Sequence, residues 1–116
     1  MPDQTKKIPV AFYVTRSGRE PVREWLQDLE KDDRRGIGKH ILVVQKTWPI
    51  GLPLCRSLGH GLWEVRSTLP SARIARVIFC FYDGVIVLLH GFIKKTQKTP
   101  RSEIALALAR LEEISQ

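Results

Sequence analysis

The pair Asp83-Gly84 constrains this chain more than any other feature. It separates residues 73–82 from residues 85–95, two runs rich in β-branched and aromatic side chains. A two-residue type I′ turn needs φ > 0 at both central positions, and Asp-Gly meets that need at small cost. The spacing therefore predicts a β-hairpin with its register set by the turn. Tyr82 falls opposite Val85, Cys80 opposite Val87, Ile78 opposite Leu89 and Arg76 opposite Gly91. Side chains alternate between faces of a strand. One face then carries Arg76, Ile78, Cys80, Val87, Leu89, Gly91, Ile93 and Lys95. The other carries Arg73, Val77, Phe79, Phe81, Ile86, Leu88, His90, Phe92 and Lys94. Both faces are apolar near the turn, so both are expected to be covered there. At the open end cations take over. Arg76 and Lys95 are expected together on one face beside side-chain-free Gly91, as an anion pocket on a rigid platform.

A chain of 116 residues fits one domain, residues 1–116, with one substantial core. It is 43% hydrophobic with charges spread along its length, which points to a globular rather than a disordered chain. No apolar run is long enough to span a bilayer and no charged-then-apolar leader is present, so the expectation is a cytoplasmic protein with no membrane partner. The start, Met-Pro-Asp-Gln-Thr-Lys-Lys, is polar and expected to fray. Cys55 and Cys80 form no CxxC pattern and read as reduced thiols. His40, His60 and His90 show no metal-ligand spacing, and no P-loop, GxGxxG or HExxH occurs. No cofactor or metal is expected. The formal net charge is +7, a field that favours nucleic acid or an acidic protein, although basicity alone also serves solubility.

In chain order, residues 8–14 read as a strand, with Pro9 confining its start to an edge. Residues 15–18 make a turn and residues 19–29 a helix. Pro21 suits its first turn, and Val22, Trp25, Leu26 and Leu29 form one buried stripe. A short polar joint follows, where Asp32 or Asp33 can cap a second helix carrying Ile37, Ile41, Val44 and Trp48. The two helices form an αα-hairpin. Residues 50–61 are too rich in Gly and Pro for regular structure. Residues 62–67 are a strand, residues 68–71 a turn, and the central hairpin comes next. Thr99 as N-cap and Pro100 at the first helical position open a last helix with an apolar stripe of Ile104, Ala107, Leu108, Leu111 and Ile114. The order is β-α-α-β-β-β-α, an α+β fold with a mainly antiparallel sheet packed by an N-terminal αα-hairpin and a C-terminal helix.

Three runs carry a resemblance: Gly61-Leu-Trp-Glu-Val-Arg66, Arg76-Val-Ile-Phe-Cys-Phe81 and Leu88-Leu-His-Gly-Phe-Ile-Lys-Lys-Thr-Gln-Lys-Thr-Pro100. With the segment Ser17-Gly-Arg-Glu-Pro-Val-Arg-Glu-Trp-Leu26 they resemble the RelE/ParE toxin superfamily over nearly the whole chain, closest to its HigB-like, phage-related branch. The resemblance implies a RelE-like fold and the toxin of a type II toxin–antitoxin pair. It implies a metal-independent endoribonuclease (an mRNA interferase) that cuts mRNA in the ribosomal A site and so inhibits translation. The implied partners are the ribosome, its mRNA and a cognate antitoxin, of helix-turn-helix type as in HigA-like proteins, through which the pair binds operator DNA. The ParE branch shares the fold but attacks DNA gyrase, so fold alone does not fix the target. A non-catalytic, nucleic-acid-binding phage protein is the third reading.

Metal-free RNA cleavage uses the ribose 2′-OH as nucleophile. It needs a base, charge stabilisation on phosphorus and a proton for the leaving oxygen. Arg76 matches the family's catalytic arginine on the strand entering the hairpin; the alternative is an ion pair with Glu64. Lys95 matches the basic residue after the last strand, against a solvated lysine. Arg66 ends its strand at the same end of the sheet, as a third catalytic candidate or a surface ion pair. Lys94, Lys98 and Arg73 are candidates for phosphate contact, Lys98 beside a helix N-terminus. His90 is the tempting acid or base, although its apolar neighbours suit a packed histidine. RelE-like toxins use a C-terminal tyrosine that this chain lacks after Tyr82, which leaves the base open. Trp63 is available to stack on RNA or to pack in the core.

Overall fold

The computed structural model describes residues 7–116. The polar start, except Lys7, lies outside the described residues. The elements are β1 (Val10–Phe12), α1 (Pro21–Asp28), α2 (Lys31–Thr47), β2 (Cys55–Gly59), β3 (Leu62–Thr68), β4 (Ile74–Tyr82), β5 (Val85–Ile93) and α3 (Arg101–Ile114). The five strands form one mixed sheet in the order β1-β5-β4-β3-β2. Only β1 runs parallel to its neighbour, Val10 facing Ile86. No helix among the described residues is long and apolar enough to cross a membrane.

The sheet is covered on both faces, as the apolar hairpin demands. On one side, Val22 of α1 and Ile37, Ile41 and Val44 of α2 pack on Val65, Val77, Phe79 and Leu88. On the other, α3 brings Ala107, Ile104 and Leu108 onto Leu62, Ile78, Cys80 and Leu89. Trp63 belongs to the first core: its ring meets Trp48 edge-on at 5.0 Å, so it is not displayed for RNA.

Three expectations fail, each for a physical reason. First, residues 55–59 form strand β2, not an irregular connection. β2 is an edge strand held to β3 by its backbone, and most of its side chains are exposed, so no apolar alternation marks it. Second, none of Asp32, Asp33 and Thr99 caps its helix: the N-caps are Glu30 and Pro100, and neither helix start has a side-chain cap bond. Asp33 is buried and accepts hydrogen bonds from the Ser71 amide (3.3 Å), the Ser71 hydroxyl (2.9 Å) and Arg73 (3.2 Å), pinning the β3–β4 turn to α2. Burial pushes its carboxyl up, but Ser71 and Arg73 outweigh that and hold it below the usual range. Thr99 likewise turns its hydroxyl away from α3.

Third, the hairpin register holds only near the turn. Asp83 and Gly84 do take positive φ, 52° and 77°. Tyr82 faces Val85, and Cys80 faces Val87. Between Ile78 and Phe79 the pairing slips. Phe79 faces Leu88 but Ile78 faces His90, which leaves Leu89 as the extra residue of a β-bulge. Beyond it Val77 faces Gly91 and Arg76 faces Phe92. Gly91 thus turns toward α1, where a Cβ would run into the Trp25 ring. The glycine is room for tryptophan, not part of an anion pocket.

Candidate functional site

The slip inverts the expected order of the cations at the open end. Lys94, whose amide bonds to the Ile74 carbonyl at 2.7 Å, joins Arg76 on the α3 side of the sheet. Lys95 does not; it lines other openings, with Arg73 and with Trp25. The expectation that Arg76 and Lys95 converge is therefore corrected, and so is the assignment of Lys94 to the opposite face.

A cavity of about 180 Å³ opens past the start of α3. Arg56 of β2, Glu64 and Arg66 of β3, Arg76 of β4 and Lys94 after β5 line it, with Leu54 and Gln97 at its edge. The ladder explains this convergence. Arg56 faces Glu64 across β2–β3, and Arg66 faces Arg76 across β3–β4. Residues two apart share a face. Four cations therefore surround one carboxylate.

At the floor, Glu64 is 2% and Arg76 4% exposed. Arg76 donates through Nη1 to Glu64 and to Thr99 Oγ1 (3.1 Å), and through Nη2 to the Gln97 carbonyl (3.4 Å). Thr99 donates to the other Glu64 oxygen. The cluster closes on itself, except that the buried Nε of Arg76 has no partner. An arginine so engaged does not meet a phosphate on its own; it fixes Glu64 and the 97–99 loop. The accessible cations are those at the rim: Arg56 and Arg66 are exposed, Lys94 half-buried. Burial, then Arg76 and Arg66, lower the Lys94 ammonium pKa from the ordinary lysine value; Glu64 opposes them.

The other candidates lie apart. His90 faces α3 rather than the cavity, hydrogen-bonded to Glu103 and stacked on Phe92 at 5.6 Å. Arg73 is tied to Asp33 at 3.2 Å. Lys98 is exposed on the loop before α3, its carbonyl accepting from the Thr96 hydroxyl at 2.6 Å. Sequence reasoning missed Arg56, because β2 was invisible, and missed Thr99, which looked like a cap. The sequence put Arg66 at this end of the sheet and left its face open; the β3–β4 register puts it on the face of Glu64.

Residues 24–112 match the family model described as "Phage derived protein Gp49-like (DUF891)". A search of curated proteins finds no match.

Proposed function

The chain belongs to the Gp49-like family of phage-derived proteins, and from that premise we propose that it is the toxin of a type II toxin–antitoxin pair, a ribosome-dependent mRNA endonuclease. The family match, the α+β architecture and the likeness of residues 61–66 and 88–100 to HigB-like toxins support the toxin reading. The observation that carries the chemistry is the cavity with Arg56, Arg66, Arg76 and Lys94 around Glu64. Its excess positive charge, open to solvent, suits a phosphodiester.

In this reading Arg66 and Arg56 hold the non-bridging oxygens and stabilise the charge that grows on phosphorus. Lys94, its pKa lowered mainly by burial, is neutral more often than an ordinary lysine and takes the 2′-OH proton as the 2′-oxygen bonds to phosphorus; the P–O5′ bond breaks and the leaving 5′-oxygen takes its proton from water at the open cavity. The Glu64–Arg76–Thr99 cluster holds the two strands and the loop in register beneath it. The ribosome poses the ribose and phosphate in line, so free RNA is cut poorly. The cognate antitoxin is the expected partner and the cytoplasm the expected site of action. A gyrase-directed toxin of the same fold is the rival, and one observation favours it: Nη1 and Nη2 of Arg76 are engaged by Glu64, Thr99 and the Gln97 carbonyl.

Mapping mRNA 5′ ends after induction tests the proposal. Cuts within translated codons, lost with Arg66→Ala while antitoxin binding persists, are expected. Growth arrest with intact mRNA and broken DNA would overturn it.

A further inference from the structure

Strand β5 is covered along only part of its outer edge. β1 pairs with Ile86–Leu88 and ends, so from His90 to Ile93 that edge has no strand partner among the described residues. A cleft of about 390 Å³ opens there between α1 and α3. Trp25 stands on one side, packed on Gly91. Phe92 and His90 stand on the other, their rings stacked at 5.6 Å and 22°. Glu103, hydrogen-bonded to His90, and Lys95 complete the wall. All of these side chains retain solvent exposure.

This cleft neighbours the cationic cavity. An intermediate opening lined by Arg73, Lys94 and Lys95 shares Lys94 with the Arg76 cavity and Lys95 with the aromatic cleft. Lys94 and Lys95 follow the end of β5 one after the other, and both line this intermediate opening. Cations that track a backbone toward aromatic rings are how proteins hold single-stranded nucleic acid. The unpaired backbone edge and the His90–Glu103 pair add donors and acceptors at the height of the rings.

We propose that the cleft between Trp25 and Phe92 is a nucleobase subsite for single-stranded RNA, taking a base neighbouring the nucleotide whose phosphate lies at Arg66 and Lys94. Phe92 and Trp25 supply the apolar walls, the His90–Glu103 pair meets the base edge, and Lys95 holds the linking phosphate. This rests on the RNA-directed reading above.

The test is a binding titration with a seven-nucleotide 2′-O-methyl RNA, which cannot be cleaved, and with a set of the same oligonucleotides made abasic at each position in turn. One abasic position should weaken binding about tenfold, as expected for losing one stacked base. Phe92→Leu, which keeps an apolar side chain in place but removes the ring, should weaken the intact oligonucleotide by a similar factor and abolish the difference at that position. Glu103→Gln, a second variant that keeps the shape, should change the preference among the bases there. A flat abasic scan, with binding still lost in Arg66→Ala, would overturn the subsite and leave the proposed function standing. No oligonucleotide binding at all would count against both. A flat scan together with protection of the 90–93 amides from hydrogen exchange by the antitoxin would give the cleft to a peptide strand and overturn the proposal.

Discussion

The two halves of the β4–β5 hairpin are built on opposite terms. The turn half is apolar on both faces and keeps the register that Asp83-Gly84 dictates. Phe79 and Cys80 are buried there, and burial pushes the Cys80 thiol up to about 11. The open half lies past the bulge, one residue out of step, and its interior on the α3 side is ionic: Glu64, Arg76 and Thr99, while Val65, Ala75 and Val77 stay in the apolar core on the other side. Packing tolerates little change in the first, and pairing tolerates little in the second. The difference teaches that turn chemistry sets a register only as far as the first bulge. A single extra residue exchanges the side chains of the two faces, here Lys94 for Lys95.

The largest effect should come from splitting the ionic half. Glu64→Ala leaves Arg76 buried without its partner and is expected to cost about 3–5 kcal/mol in urea unfolding. Phe79→Ala in the apolar half should cost a similar amount, about 3–5 kcal/mol, through its cavity. The halves separate in the rescue. Glu64→Leu combined with Arg76→Met should recover most of the stability, since an apolar pair of similar volume replaces a buried ion pair at little cost. A Glu64→Ala cost below about 1 kcal/mol would mean that the pair is solvated and the halves are alike. The same coupling makes Arg76→Ala a poor probe of catalysis, because it strands Glu64.

A smaller effect separates the two glycines. Gly91→Ala drives a methyl into Trp25 and should cost about 1–3 kcal/mol by overpacking. Gly84→Ala has open space around it and only its positive φ to resist, about 1–2 kcal/mol. Differential unfolding of the two variants checks this. Equal and small losses would show that Trp25 does not lie on Gly91.

Much of this was legible in the sequence. The Asp-Gly turn, the stripe of Val22, Trp25, Leu26 and Leu29, and that of Ile104, Ala107, Leu108 and Leu111 each encode local geometry in a local pattern. What was not legible depends on contacts between distant segments. β2 buries only Cys55 fully and leaves most of its side chains exposed, so no apolar alternation marks it, and Arg56 went unnoticed with it. Asp33 and Thr99 have the chemistry of caps, yet Ser71, Arg73, Arg76 and Glu64 claim them from 23 or more residues away. The bulge at Leu89 leaves Gly91 against Trp25, which lies on another element entirely. In the candidate site, Arg66 and Arg76 were named on the right end of the sheet, while the lysine beside them was taken one residue too far along the chain.

The most direct test compares those neighbouring lysines. With purified variants acting on programmed ribosomes, the account predicts that Lys94→Gln slows mRNA cleavage about a hundredfold or more, while Lys95→Gln stays within about tenfold of the unaltered chain. The reverse ranking would contradict it, by placing the reacting phosphate on the α1 side of the sheet.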